Sequence, residues 1–185
     1  MIVVDAQRDL QRAYVGGGPG AVISGMIWLA AALVAATRGL GPGFVALFFG
    51  GMLIFPLAKL VSRLAFGRAP EAQGNPFGRM IAESTAALVA GLFVAWLMLA
   101  LRPALAFPVA AMAVGTRYVL FQTAYGDRTY WVLGGVVSLI GLGGILVPAA
   151  RDSTALLVGL VEVLAGAMLT RRALRQHPAG APTLH

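Results

Sequence analysis

A chain of 185 residues that is 59% hydrophobic and 11% charged departs from soluble domains, which run at roughly 45–50% apolar and about 25% charged. In water such a fold would expose much of its apolar surface, so a lipid bilayer is the expected solvent and partner. The net charge of +7 does not imply nucleic acid, because the basic residues fall in loops and tails between apolar runs, as membrane topology demands.

The length fits one membrane domain. The expected fold is all-α and polytopic, with six transmembrane helices behind a short N-terminal amphipathic helix. Residues 1–15 are assigned to an amphipathic interfacial helix, 16–171 to the six-helix domain and 172–185 to a disordered cytoplasmic tail.

The opening "MIVVDAQRDLQRAY" is not a signal peptide, because Asp5 and Asp9 interrupt its charged start and no long apolar run begins before Pro19. Ile2, Val3, Ala6, Leu10 and Ala13 recur at helical spacing opposite Asp5, Arg8, Asp9 and Arg12. Such a helix either lies on the inner membrane face, the placement preferred here, or caps the bundle. "GGGPG" at 16–20 lacks the Lys-Ser/Thr ending of a phosphate loop and any preceding strand. A flexible hinge into the first span is the ordinary explanation.

A spanning helix needs about 20 mostly apolar residues. Six runs qualify, near 20–37, 43–61, 81–101, 103–125, 129–149 and 153–170. Pro56, Pro108 and Pro148 fall within or near span ends and point to kinks. The short Leu101-Arg102-Pro103 connection makes the third and fourth spans an antiparallel hairpin. In the internal loop "SRLAFGRAPEAQGNPFGR", 62–79, Asn75-Pro76 reads as a turn. No internal repeat suggests duplicated transporter halves.

The basic residues set an orientation. With the N-terminus inside, the inner segments hold Arg8, Arg12, Lys59, Arg63, Arg68, Arg79, Arg128, Arg171, Arg172 and Arg175, and the outer ones Arg38, Arg102 and Arg151. Both termini are therefore expected on the cytoplasmic side.

Three charges remain within spans: Glu83, Arg117 and Glu162. A charge at mid-membrane costs roughly 2.5–3.5 kcal/mol on insertion scales and usually turns into the bundle toward a partner. Counted from the outer face at 1.5 Å per residue, Glu162 lies about 14 Å deep, Arg117 about 21 Å and Glu83 about 27 Å in a membrane about 30 Å thick. Arg117 is thus expected to pair with either acid or to bridge both. Small residues flank all three, as at closely approaching helices.

In "RYVLFQTAYGDRTYW", Tyr118 and Gln122 lie beside Arg117, while Tyr125, Tyr130 and Trp131 fit an interfacial aromatic belt. Gln122 and Thr123 are candidates to line a polar cavity. Ser84 and Thr85 either join it or bond back to their own helix. The Gly134, Ser138, Gly141 and Gly144 face reads as helix packing or the seam of a homo-oligomer.

Two functional classes stay open. One is small-solute or proton-linked transport or binding, with Arg117 as polar centre and Glu162, Glu83, Gln122 and Tyr118 around it. The other is a noncatalytic structural or interaction subunit, in which a buried Arg117–Glu162 pair fixes helix register. Catalysis is disfavoured. The chain has no cysteine, and its two histidines, His177 and His185, lie in the tail, which leaves no Ser-His-Asp set and no histidine metal cluster within the spans. No cofactor and no metal is expected.

Through "GGMLIFP", "GNP" and "RYVLFQTAYGDRTYW", the chain resembles a family of small bacterial inner-membrane proteins labelled only as a domain of unknown function. The likeness runs from "AYVGGGPG" to the sixth span. It implies a multi-span bacterial membrane protein and transfers no activity, substrate or catalytic residue.

Overall fold

The computed structural model describes residues 2–176. Its elements are helical throughout: α1 (Val3–Ala13), α2 (Gly18–Arg38), α3 (Leu40–Leu64), α4 (Pro76–Leu101), α5 (Ala106–Tyr125), α6 (Thr129–Leu146) and α7 (Thr154–Gln176), with short 3-10 turns at Val15–Gly17, Pro103–Leu105 and Pro148–Ala150. Helices α2 to α7 are each long and apolar enough to cross a bilayer, so the expected six-span, all-α architecture is the observed one. Helix α7 runs on through residues 172–176, which had been assigned to the tail. The remaining tail, 177–185, lies outside the described residues.

Neighbour relations run α3–α2–α7–α6–α5–α4, and the two ends of this series, α3 and α4, touch only sparsely. The tight contacts are made by glycine. A Cβ at Gly25 of α2 would lie 2.6 Å from the Gly159 carbonyl oxygen of α7, and one at Gly166 would lie 2.6 Å from the Val22 nitrogen. On the other side of the bundle, a Cβ at Gly134 of α6 would meet the Gly115 carbonyl of α5 at 2.7 Å, and one at Gly141 the Pro108 carbonyl at 2.7 Å. Lipid tails are as apolar as leucine, so spans associate through close packing, and the absent side chains let backbones touch. The Gly134–Gly144 face, which had two readings, is spent on this internal contact with α5.

At one end of the bundle, α3 and α4 are pinned by aromatic rings. Phe48 packs edge-on against Trp96 (5.0 Å between centroids) and Phe93 (5.4 Å), and Phe44 bridges Trp96 and Phe107 of α5, each at 5.9 Å. Such pairs contribute about 0.5–1.5 kcal/mol each beyond their buried area.

The opposite end is closed by α1. Ala6, Leu10 and Ala13 are buried, and the Gln7 and Gln11 amides donate to the carbonyls of Thr123 (2.8 Å) and Tyr125 at the end of α5. Asp9 accepts from Arg12 (2.8 Å), from the Ala72 backbone N–H (2.8 Å) and from Asn75 Nδ2 (3.0 Å). Of the two placements open to α1, these contacts describe the cap. Asn75 also accepts from the Phe77 N–H (3.0 Å) with Pro76 at the first helical position, so Asn-Pro begins α4 as an N-cap, five residues before the expected start.

The "GGGPG" corner is packed rather than hinge-like. Gly16 and Gly17 take positive φ (64° and 76°), a Cβ on Gly17 would collide with the Tyr130 hydroxyl, and that hydroxyl donates to the Gly16 carbonyl at 2.6 Å. Tyr125 and Tyr130, expected at the interface, are in the core; Trp131 is exposed.

Two outcomes follow from this packing. Gly25→Ala should cost about 1–3 kcal/mol of stability through backbone overpacking, whereas Gly143→Ala on α6, where an added Cβ meets nothing within 4 Å, should leave thermal unfolding unchanged. Equal melting of the two variants would contradict the seam. Partial burial opposes ionisation of Asp9, but the hydrogen bonds from Arg12, Ala72 and Asn75 outweigh it and hold its carboxyl below the ordinary aspartate value. A depressed folded-state pKa contributes stability above the unfolded value that is lost as pH falls through the folded one. Relative to the intrinsic amide rate at each pH, hydrogen exchange of α1 should therefore stay slow at neutral pH and quicken below about pH 4. Asp9→Asn should accelerate it at neutral pH, and unchanged protection in that variant would remove the clamp.

Candidate functional site

Between α2, α3, α4 and α5 lies a cavity of about 480 Å³, within the roughly 300–1,000 Å³ range of small-molecule sites. It follows from the ring order: glycine seams join α2 to α7 and α5 to α6, and the gap falls where α3 and α4 separate. Along α4 its lining runs from Gly78 to Leu92, about 21 Å at 1.5 Å per residue. On α2 the lining residues Gly20, Ala21, Ser24, Ile27 and Trp28 recur at helical spacing, and the small ones toward the α1 end leave the space open.

The polar groups are graded along this length. Tyr14, Glu71 and Tyr125 line the end nearest α1; Arg117, Tyr118, Ser24 and Thr85 line the middle; Trp28, Leu47, Phe48 and Leu92 line the far half. Burial and the facing Glu71 carboxylate raise the Tyr14 hydroxyl above its ordinary pKa, keeping it a donor toward Glu71.

Arg117 occupies the polar middle. One guanidinium nitrogen donates to Thr85 Oγ1 at 2.8 Å, and Thr85 in turn donates to the Ile81 carbonyl at 2.9 Å. The guanidinium lies 5.1 Å from the Phe121 ring centroid, a cation–π distance. Its Nε is buried without a hydrogen-bond partner. Glu83 pairs with Arg79, and Glu162 has no hydrogen-bond partner among the described residues, so the expected pairs of Arg117 with Glu83 or Glu162 are not formed.

The reason is angular. Consecutive residues on an α-helix point about 100° apart, so α5 turns Arg117 toward α4 and its neighbour Tyr118 toward α2 and α7. Glu162 is fully buried (0% exposed) in the α2–α7 seam, between Gly159 and Gly166. The hydroxyls of Ser24 and Tyr118 are the side-chain groups turned toward it, yet neither carboxyl oxygen completes a hydrogen bond of regular geometry. Tyr118 interacts electrostatically with both Glu162 and Arg117. Glu83 lies on the surface near the α1 end, bound to Arg79 at 2.9 Å with 65% of its side chain exposed. An exposed pair of this kind contributes little.

Of the five residues singled out from sequence, Arg117 and Tyr118 line the cavity, Glu162 sits behind its Ser24–Tyr118 wall, Gln122 is half-buried outside the lining, and Glu83 is remote. Ser84 bonds back to the Ile81 carbonyl at 2.7 Å, whereas Thr85 does that and also receives Arg117. Ser24, Tyr14 and Glu71 were not expected here. The small face of α2 was a readable signal for Ser24. The loop residue Glu71 and the helix-end Tyr14 carried none.

Neither the curated proteins nor the solved structures contain a match to this chain. A family model does match, over residues 3–172, and agrees with the likeness seen in the sequence motifs as far as a domain of unknown function. This multi-pass helical membrane protein belongs to the family of unknown function designated DUF7010.

Proposed function

We propose that the protein binds a small organic anion within the membrane, at Arg117, as a binding or transport protein of the bacterial cytoplasmic membrane. The carrying observation is an arginine in a largely apolar cavity of about 480 Å³ that has no acidic partner, spends one N–H on Thr85 and leaves Nε buried and unpaired. Guanidinium carries five N–H donors in a fixed fork suited to carboxylate or phosphate. In a medium of low dielectric its charge favours an anion far more than it would in water. The proton-linked form of this reading runs through Tyr118, which faces both Arg117 and Glu162.

The competing scaffold reading draws support from the glycine seams and the sealed position of Glu162. A cavity of this size beside an uncompensated cation favours binding over scaffolding.

The test is thermal unfolding of the purified protein with benzoate, octanoate or octyl phosphate. A bound anion at 100 times its Kd stabilises by about 2.7 kcal/mol, which should raise the melting temperature of the parent and not of Arg117→Gln. If none of the three acts through Arg117, the reading fails.

A cytoplasmic position for both ends of the described chain rests on charge. Ten Lys and Arg residues fall at the α1 end of the bundle or in its connections, against Arg38, Arg102 and Arg151 at the other. Because the chain lacks cysteine, single introduced thiols report orientation cleanly. In intact bacterial cells, Asp152→Cys should react with a membrane-impermeant maleimide and Gly74→Cys should react only after permeabilisation. The inverse pattern would reverse the orientation.

A further inference from the structure

The cavity has two conceivable routes in, and they differ in chemistry. The axial route at the α1 end is crossed by α1 and by the 66–75 segment, which Asp9 and Arg12 tie down at Ala72, Asn75 and Pro70. It is lined there by the Glu71 carboxylate, which repels an anion. The lateral route lies between α3 and α4. Met52 and Phe55 of α3 line the cavity and are also 55% and 54% exposed. Ala82 and Thr85 of α4 likewise line it while exposed. A residue that is both wall and outer surface marks an opening, and this one gives onto the hydrocarbon around the spans. It is bounded by the Phe48–Phe93–Trp96 cluster at one end and the 66–75 segment at the other.

Resting on the anion-binding reading above, we propose that the occupant is a single-chain anionic amphiphile from the surrounding bilayer. It passes between α3 and α4, its carboxylate or phosphate head on Arg117 and its chain along the apolar half of the cavity. Thr85 sits at the edge of the opening and is hydrogen-bonded to Arg117, which puts the cation within reach of a head group passing that edge. From Thr85 to Leu92 the apolar half extends about 10 Å along α4 at 1.5 Å per residue, an elongated space that suits a chain better than a compact solute. The bilayer supplies such molecules at high local concentration, with no need to cross the α1 cap.

Trp28 lies in the cavity wall with 1% exposure, so it reports occupancy once the other two tryptophans are replaced (Trp96→Phe and Trp131→Phe). In nanodiscs, dibrominated stearic acid should quench Trp28 saturably, and the equally brominated neutral alcohol should not. Arg117→Gln should weaken the quenching about tenfold, a change of 1.4 kcal/mol; Arg117→Lys, which keeps the charge, should largely restore it and control for folding. Ala82→Phe, which narrows the α4 lip of the opening, should slow the onset of quenching by the long-chain acid. Arg117-dependent binding of benzoate with none of the long-chain acid would overturn the amphiphile and leave the anion site standing. Quenching by acid and alcohol alike, indifferent to Arg117, together with no benzoate binding, would overturn both. An unchanged rate in Ala82→Phe would overturn the lateral route.

Discussion

Backbone-to-backbone contact at glycine is the constraint from which the rest of this structure follows. Gly25 and Gly166 bring α2 and α7 together, Gly115, Gly134 and Gly141 do the same for α5 and α6, and at each of these positions an added Cβ would come within 3 Å of a neighbouring main-chain atom. Spans surrounded by lipid gain nothing from hiding apolar surface, so contact of this closeness decides which helices are neighbours. One side of the ring is thereby shut tight. The other side, α3 against α4, has no comparable seam and is held at one end by aromatic rings and at the other by the 66–75 segment under α1. The cavity is what that asymmetry leaves.

Charge placement depends on the same geometry. Arg117 and Tyr118 are consecutive, so α5 presents one to the cavity and the other to the seam, and the arginine is denied the acid that depth alone would give it. Glu162 is enclosed where backbones meet most closely, with hydroxyls in place of a counter-charge. Removing one member of a buried pair is expensive because it strands the other; here the separation is built in, with Arg117 held to Thr85 on the α4 side and Tyr118 turned toward Glu162. Under the anion-binding proposal, an arginine so placed is the anchor, and the largely apolar walls around it limit what kind of anion fits.

Much of the fold was legible. Six apolar runs of spanning length, separated by Pro, Gly and Arg, fixed the number of spans, and the stripe of Ala6, Leu10 and Ala13 marked the buried face of α1. Position along each helix was also readable, since it needs only a residue count. Azimuth was not. Rise per residue placed Arg117 between the levels of Glu83 and Glu162, but which way each helix is turned depends on packing partners that one sequence does not name. Glu83 went astray for a second reason: Arg79, one turn away, is a nearer partner than any other helix offers. Asn75-Pro76 was read as a turn although its cap is local, Asn75 accepting from Phe77 N–H with Pro76 at the first helical position, and only the Asn75 amide contacts to α1 lay beyond the sequence. Tyr130 was read as interfacial because its bond to Gly16 joins positions far apart in the chain. The Gly16–Gly17 corner shows the same dependence, since glycine there serves a packed contact and not looseness.

A density map of the protein in a lipid nanodisc tests the central claim most directly. It should show α3 and α4 parted between their aromatic pin and the 66–75 segment, with elongated non-protein density whose polar end abuts the Arg117 guanidinium. A ring closed along its whole length, with Arg117 turned out to lipid or joined to Glu162, would contradict the account.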